Sequence, residues 1–179
     1  MKKSTRHIYE IVCCGLLIAL GLVLPGVFHS FGGQSAGTVF LPMHIPVLIA
    51  GLYLGPVCGA IVGVVTPLMS SILTGMPPFG ILPYMMLELL AYGCIAGLFY
   101  RMVKRNVYLA LLVAQVGGRI VKALVLLVAA YIFRLPNVAG VLSVWIAAAT
   151  GWPGLLIQLA LIPPIVLALQ KGVRSYDRS

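Results

Sequence analysis

Long apolar runs, interrupted only by glycine, proline or short basic segments, occupy most of this chain. Of its 179 residues, 61% are hydrophobic and only 8% are charged, whereas soluble domains carry roughly 45–50% apolar and about 25% charged residues. A water-soluble fold of this size would have too few charged side chains to cover its surface. The sequence therefore argues against a soluble enzyme or a nucleic-acid-binding domain and predicts a multi-pass protein embedded in the lipid bilayer.

The apolar runs predict one all-α membrane domain over residues 1–179, an integral bundle of six helices. A full crossing needs about 20 apolar residues, so the second and third runs are short, and a tight Gly55-Pro56 turn joins them. A re-entrant second segment is the main alternative. The first run resembles a signal peptide, but its length and the lack of a clear cleavage site favour a retained span. The predicted spans are Ile8–Leu24, Pro42–Leu54, Val57–Leu73, Ile81–Tyr100, Val107–Phe133 and Ala149–Leu169.

Basic residues cluster beside alternate ends of the predicted spans. Because cytoplasmic loops are enriched in Lys and Arg, this pattern predicts that both termini are cytoplasmic. The opposite loops, at Pro25–Leu41, Thr74–Gly80 and Arg134–Ala148, hold one basic residue, Arg134. The basic clusters are Lys2, Lys3 and Arg6; Arg101, Lys104 and Arg105; and Lys171, Arg174 and Arg178.

Three ionisable side chains, Glu88, Arg119 and Lys122, fall inside predicted spans. Glu88 and Arg119 each lie about 12 residues, or roughly 18 Å, from the cytoplasmic end of their span, so we expect them to form an ion pair. That pairing leaves Lys122 unpaired, although each charge in lipid costs about 2.5–3.5 kcal/mol on insertion scales. A surplus cation in a polar cavity, together with Gln115 and Gln158, favours an anionic or strongly hydrogen-bonding ligand. The alternative is a buried network that only locks the helices together.

His44 lies near the outer end of the second span, between Pro42 and Pro46. These prolines remove backbone donors and can free nearby carbonyl groups. A neutral imidazole donates or accepts a hydrogen bond, so His44 is a candidate ligand contact, although a lone histidine is more often a structural partner.

The first and second outer loops carry no charged side chain. Pro25–Leu41 combines flexible glycines with aromatic and hydrogen-bonding residues, and Thr74–Gly80 is rigid and apolar. Such loops could close over a small ligand. The alternative is that Phe28, Phe31 and Phe79 anchor the helices at the membrane interface, where aromatic residues are enriched.

Signatures of catalysis are missing from the sequence. It contains no Walker A sequence, no HExxH, no GxSxG and no pair of carboxylates, so we expect no ATP hydrolysis by this chain and no enzyme activity. Its four cysteines lack metal-ligand spacing, and no cofactor is predicted. A small membrane enzyme using Glu88 and Arg119 stays open, as does a stand-alone secondary carrier, although carriers commonly show internal repeats and none is found here.

The segment Phe40–Pro56, which reads FLPMHIPVLIAGLYLGP, carries a family resemblance together with Gly59, Gly63, Thr66-Pro67 and the Leu73–Pro78 turn. It is similar to the substrate-binding S components of energy-coupling factor (ECF) vitamin transporters, and the resemblance spans nearly the whole chain. It implies a high-affinity binding subunit for a water-soluble vitamin or precursor in the plasma membrane of a prokaryote. It also implies a membrane T component and two cytoplasmic ATPase subunits as partners, which fits the missing Walker motif.

The resemblance further implies a ligand site at the outer half of the bundle. Arg119 and Lys122 would hold a carboxylate or phosphate, with Glu88 orienting Arg119, and this favours an acidic ligand such as pantothenate. The first span of family members often carries Ala-x-x-x-Ala for contact with the T component; the matching place here reads Gly15-x-x-x-Ala19, with a still smaller residue at the first position. The implied ligand contacts are Phe28, His29, Gln34, His44, Met76, Phe79, Glu88, Gln115, Arg119 and Lys122.

Overall fold

The computed structural model describes residues 3–103, 106–131, 146 and 149–176, without the side chains of residues 3, 29, 31–36, 38 and 173–176. These residues form helices joined by short turns, and none of them lies in a strand. The all-α prediction is therefore confirmed for the described residues. The helices are α1 (Lys3–Phe40), α2 (His44–Leu54), α3 (Pro56–Thr74), α4 (Leu82–Met102), α5 (Val107–Tyr131) and α6 (Trp152–Tyr176).

Five of the described helices are long and apolar enough to cross a membrane. They contain the segments Ser4–Phe28, Pro56–Thr74, Leu82–Met102, Val107–Tyr131 and Trp152–Gly172. Helix α2 has 11 residues and is about 16 Å long, so it is too short to cross the roughly 30 Å hydrocarbon core alone. Six crossings and cytoplasmic termini stay predictions. Apart from Ile146, the predicted loop Arg134–Ala148 lies outside the described residues.

The prediction of an irregular loop at Pro25–Leu41 was wrong, because α1 continues as a helix to Phe40. The Phe28 and Phe40 rings lie 5.2 Å apart, whereas a straight helix would separate these positions by about 18 Å, so α1 bends between them. Helix α6 packs on the end of α1: a Cβ at Gly154 would lie 2.6 Å from the Val39 carbonyl oxygen. This tertiary contact outweighs the weak helix propensity of the glycines.

Leu41 ends α1 in the left-handed backbone region, with φ 49°, which is strained for a residue other than glycine. Its N–H donates to the Gly37 carbonyl at 3.1 Å, and its own carbonyl accepts the N–H of His44 at 3.1 Å. The chain therefore turns sharply from α1 into α2, and this turn places His44 at the start of α2.

Glycines bring the backbones of α2, α3 and α4 into direct contact. A Cβ at Gly93 would overlap the Gly59 carbonyl, and one at Gly51 would overlap the Gly93 carbonyl. At Gly63 an added Cβ would lie 2.5 Å from the Leu89 carbonyl oxygen. These glycines thus allow tight helix packing within the chain itself, and this packing gives the site a rigid base.

Candidate substrate-binding pocket

A cavity of about 580 Å³ lies between the bent end of α1, the start of α2, the α3–α4 turn and the facing sides of α4 and α5. This volume falls within the range of roughly 300–1,000 Å³ that is typical of small-molecule sites. Apolar and methionine side chains form much of its wall, and polar groups lie among them. The polar side chains that line it are His44, Ser70, Thr74, Glu88, Arg119, Lys122 and Thr150; its larger apolar side chains are Leu22, Leu41, Met43, Met76, Ile81 and Met85.

Five of the predicted ligand contacts meet at this cavity: His44, Met76, Glu88, Arg119 and Lys122. They come from α2, the α3–α4 turn, α4 and α5. The fold therefore assembles at one place residues that are up to 78 positions apart in the sequence.

Gln115 lies one turn behind Arg119 and is buried. Its carbonyl oxygen accepts a hydrogen bond from the Arg119 guanidinium at 3.1 Å, and its side chain donates to Gln158 at 3.2 Å. Gln158 in turn donates to the Leu41 carbonyl at 3.5 Å. Gln115 thus supports the wall of the cavity and is not among its lining residues.

The aromatic residues of the predicted set lie elsewhere. Phe28 packs on Phe40, and Phe79 is 73% exposed; neither lines the cavity. The exposure of Phe79 fits the alternative of an anchor at the membrane interface. His29 and Gln34 are predicted contacts whose side chains fall outside the described residues.

The predicted Glu88–Arg119 ion pair was wrong, and so was the expectation that Lys122 is unpaired. The Lys122 ammonium lies 2.7 Å from Glu88 Oε2. The Arg119 guanidinium instead donates to the Tyr92 hydroxyl at 2.9 Å. The register of antiparallel α4 and α5 explains the exchange: Gly118 packs on the Tyr92 ring, so one turn further along each helix Glu88 faces Lys122.

The charges of the described lining residues do not cancel. Glu88 and Lys122 neutralise each other, and among the described residues Arg119 hydrogen-bonds only to neutral acceptors. The surplus positive charge expected from the sequence is therefore present at the cavity, but Arg119 supplies it instead of Lys122.

His44 is 5% exposed, and its Nδ1 atom makes no hydrogen bond to a described residue. Its ring meets the Tyr92 ring edge-on at 5.0 Å. A buried nitrogen without a partner costs free energy, and because His44 lines the cavity, a ligand could supply that partner.

Tyr92 and the serines at the end of α3 were not predicted from the sequence to be parts of this site. Tyr92 is four residues from Glu88 on the same helix face, a signal that could have revealed it. Ser70 and Ser71 donate to the Met76 and Pro77 carbonyls at 2.7 and 2.8 Å. They fix the α3–α4 turn against the mouth of the cavity.

The Gly15-x-x-x-Ala19 pair lies on an exposed face of α1. A Cβ at Gly15 would meet nothing within 4 Å, and the neighbouring Ile11 and Leu16 are 71% and 66% exposed. Within the described part of the chain, this face is open to lipid or to another helix.

A family model described as "ECF transporter, substrate-specific component" matches residues 10–166. The chain belongs to this family. The matched range includes every residue that lines the cavity. Membership confirms the predicted S component, its place in a membrane and its class as a transport protein instead of an enzyme.

S components of ECF transporters pair with T and ATPase modules, so this chain is a substrate-binding part of such an uptake system. No curated protein and no solved structure gives a significant match.

Proposed function

We propose that this S component is the high-affinity binding subunit for uptake of a water-soluble vitamin or vitamin precursor, specifically a small anionic one such as pantothenate. The observation that carries the proposal is the surplus positive charge of Arg119 at a cavity of about 580 Å³. A cavity of this size accepts a vitamin-sized molecule, and an anion would neutralise its net charge.

The surroundings of the cavity favour capture of a ligand over its free passage through the chain. On one side lie tightly packed side chains, among them Leu48, Tyr92, Leu111 and Ile162, each at most 1% exposed. The glycine contacts between α2, α3 and α4 bring backbones together in the same layer. Because such packing resists local opening, release on the other side needs a rearrangement that an ATP-driven partner could supply.

In this proposal the chain crosses the membrane six times, both termini are cytoplasmic and the cavity opens towards the outside. The exposed face of α1 that carries Gly15 and Ala19 contacts the membrane T component, and two cytoplasmic ATPase subunits bind that component. Small residues four apart support this assignment because they let two helices approach closely.

Uptake of radiolabelled pantothenate into cells tests the proposal. Cells that make the chain together with the T component and both ATPases should accumulate pantothenate, and cells with inactivated ATPases should not. Accumulation by proteoliposomes that contain this chain alone would identify a secondary carrier. Failure of the complete system to take up any water-soluble vitamin would refute the proposal.

A further inference from the structure

One side of the Arg119 guanidinium is hydrogen-bonded to the protein, and the other side has no hydrogen-bond partner among the described residues. Nη1 donates both to the Tyr92 hydroxyl at 2.9 Å and to the Gln115 carbonyl at 3.1 Å. Among the described residues, no hydrogen bond involves Nε or Nη2 of Arg119. The Nε–Nη2 edge of a guanidinium matches the two oxygens of a carboxylate in a bidentate arrangement, and Arg119 lines the cavity.

Tyr92 fixes the direction of this edge without lining the cavity itself. The residue is 1% exposed, and its ring meets His44 of α2 at 5.0 Å. On the α5 side, a Cβ added to Gly118 would lie 2.6 Å from Tyr92 Cδ2, so the ring lies directly against α5. Contacts from two helices therefore hold the hydroxyl that accepts from Arg119, and the guanidinium is oriented before a ligand arrives.

The ion pair beside Arg119 limits how much negative charge a ligand can bring. Lys122 lies 2.7 Å from Glu88, so the charge of its ammonium is already offset by that carboxylate before a ligand binds. The Glu88 carboxylate also lines the cavity. A single carboxylate on Arg119 balances the described charges, whereas a phosphate group would place additional negative charge near Glu88 with no further cation to offset it.

We propose that the cavity selects a ligand with one carboxylate, bound side-on by the Nε–Nη2 edge of Arg119, and rejects phosphate esters. Tyr92 is the positioning residue that acts through Arg119, and the Glu88–Lys122 pair is the element that excludes the second charge. This inference rests on the proposed function, since it assumes that the cavity binds a small anionic metabolite.

Matched pairs of compounds test the selectivity on the full-length chain purified in mild detergent. Each acid is paired with a neutral counterpart: pantothenate with pantothenol, nicotinate with nicotinamide, and biotin with biotin amide. Two further compounds, 4′-phosphopantothenate and pyridoxal phosphate, represent phosphate esters. We expect one acid to bind, with affinity at least 100-fold above that of its neutral counterpart, and neither phosphate ester to bind. Binding of a phosphate ester as tightly as any acid overturns the inference but leaves the proposed function standing, whereas equally tight binding of a neutral compound overturns the inference and also the anionic ligand of the proposed function. If no compound in the panel binds, the inference fails, and the uptake experiment with the complete transporter decides the proposed function separately.

Substitutions then test the assigned roles with the acid that binds. Tyr92→Phe keeps the ring and removes the acceptor, so affinity for the acid should fall about tenfold with no change for the neutral counterpart. Tyr100→Phe is the matched control, because the Tyr100 hydroxyl bonds to Gln170 away from the cavity; it should leave both affinities unchanged. Equal losses for the acid and its neutral counterpart in Tyr92→Phe would show a merely structural role and overturn the assignment.

Two further variants separate the geometry from the charge. Arg119→Lys keeps the positive charge but lacks the paired N–H donors of the guanidinium, so it should lose most of its affinity for the acid. Wild-type affinity in this variant would overturn side-on binding. Glu88→Gln removes the negative charge beside the ligand and should create measurable affinity for at least one of the two phosphate esters. Rejection of both esters by Glu88→Gln, as by the wild type, would overturn the role given to the ion pair.

Discussion

The Glu88–Lys122 ion pair gives the sharpest test of the helix register between α4 and α5. Its two members differ in environment, since 8% of the Glu88 side chain and 26% of the Lys122 side chain are exposed. Lys122→Met leaves a buried carboxylate without a partner, whereas Glu88→Gln leaves an ammonium that retains some exposure. The two substitutions should therefore not cost the same.

The expected sizes follow from the distance and the burial. At 2.7 Å the gross attraction is about 6 kcal/mol with an effective dielectric constant of about 20, and desolvation of both groups offsets much of it. Removing one member of a fully buried pair costs about 3–5 kcal/mol. Because this pair is partly exposed, we expect Lys122→Met to lower the free energy of unfolding by about 2–3 kcal/mol and Glu88→Gln by about 1 kcal/mol.

The assay is denaturant unfolding in mixed detergent micelles, followed by circular dichroism for both single variants and the double variant. The double variant contains no unpaired charge, so it should be about as stable as Glu88→Gln alone, which gives a coupling energy of about 2–3 kcal/mol. Lys171→Met, at an exposed site near the end of α6, is the control and should change little. Additive costs in the double variant would refute the pairing and the register behind it.

Three further predictions concern packing, partner contact and the α3–α4 turn. Gly93→Ala should lower the free energy of unfolding by about 1–3 kcal/mol, because the added methyl group overlaps the Gly59 carbonyl. Thermal unfolding measures this change. Gly172→Ala is the control and should be neutral, because a Cβ at Gly172 meets no atom within 4 Å. Gly15→Leu should abolish co-purification of the T component without changing ligand affinity. Gly172→Leu is the control and should preserve both the co-purification and the affinity. Retention of the T component by Gly15→Leu would contradict the proposed contact. Ser71→Ala removes a 2.8 Å hydrogen bond to the turn that lines the cavity. In a chase experiment, ligand dissociation should become about fivefold faster. An unchanged dissociation rate would show that this bond does not restrain the turn.

Much of the helical framework could be predicted because lipid imposes one pattern on the sequence. Apolar runs must form helices to satisfy their backbone groups in a membrane, and the predicted spans Val57–Leu73 and Ile81–Tyr100 differ from α3 and α4 by at most two residues at either end. The end of α1 could not be predicted in this way. Local glycine content indicates a loop, whereas the helix there is packed against α6 at Gly154, a contact that the sequence does not reveal.

The charged residues of the candidate site could be predicted from the sequence, but the way they pair could not. Charged residues within apolar runs are conspicuous, so Glu88, Arg119 and Lys122 were identified from the sequence alone. Their pairing depends on a register of one helical turn, and depth counted from uncertain span ends cannot resolve one turn. The register is set by the fit of Gly118 against Tyr92, and a tyrosine inside an apolar run gives no sign that it orients an arginine.

Mass spectrometry of the small molecules that co-purify with the chain tests the central claim most directly. Wild-type protein and Arg119→Gln would be purified from rich medium in the same mild detergent and extracted in parallel. We expect one small carboxylate metabolite, a vitamin or vitamin precursor, per wild-type chain, and we expect this metabolite to be missing from Arg119→Gln. A metabolite retained equally by both proteins, or no metabolite enriched with the wild type, would contradict a binding subunit whose ligand is held by Arg119.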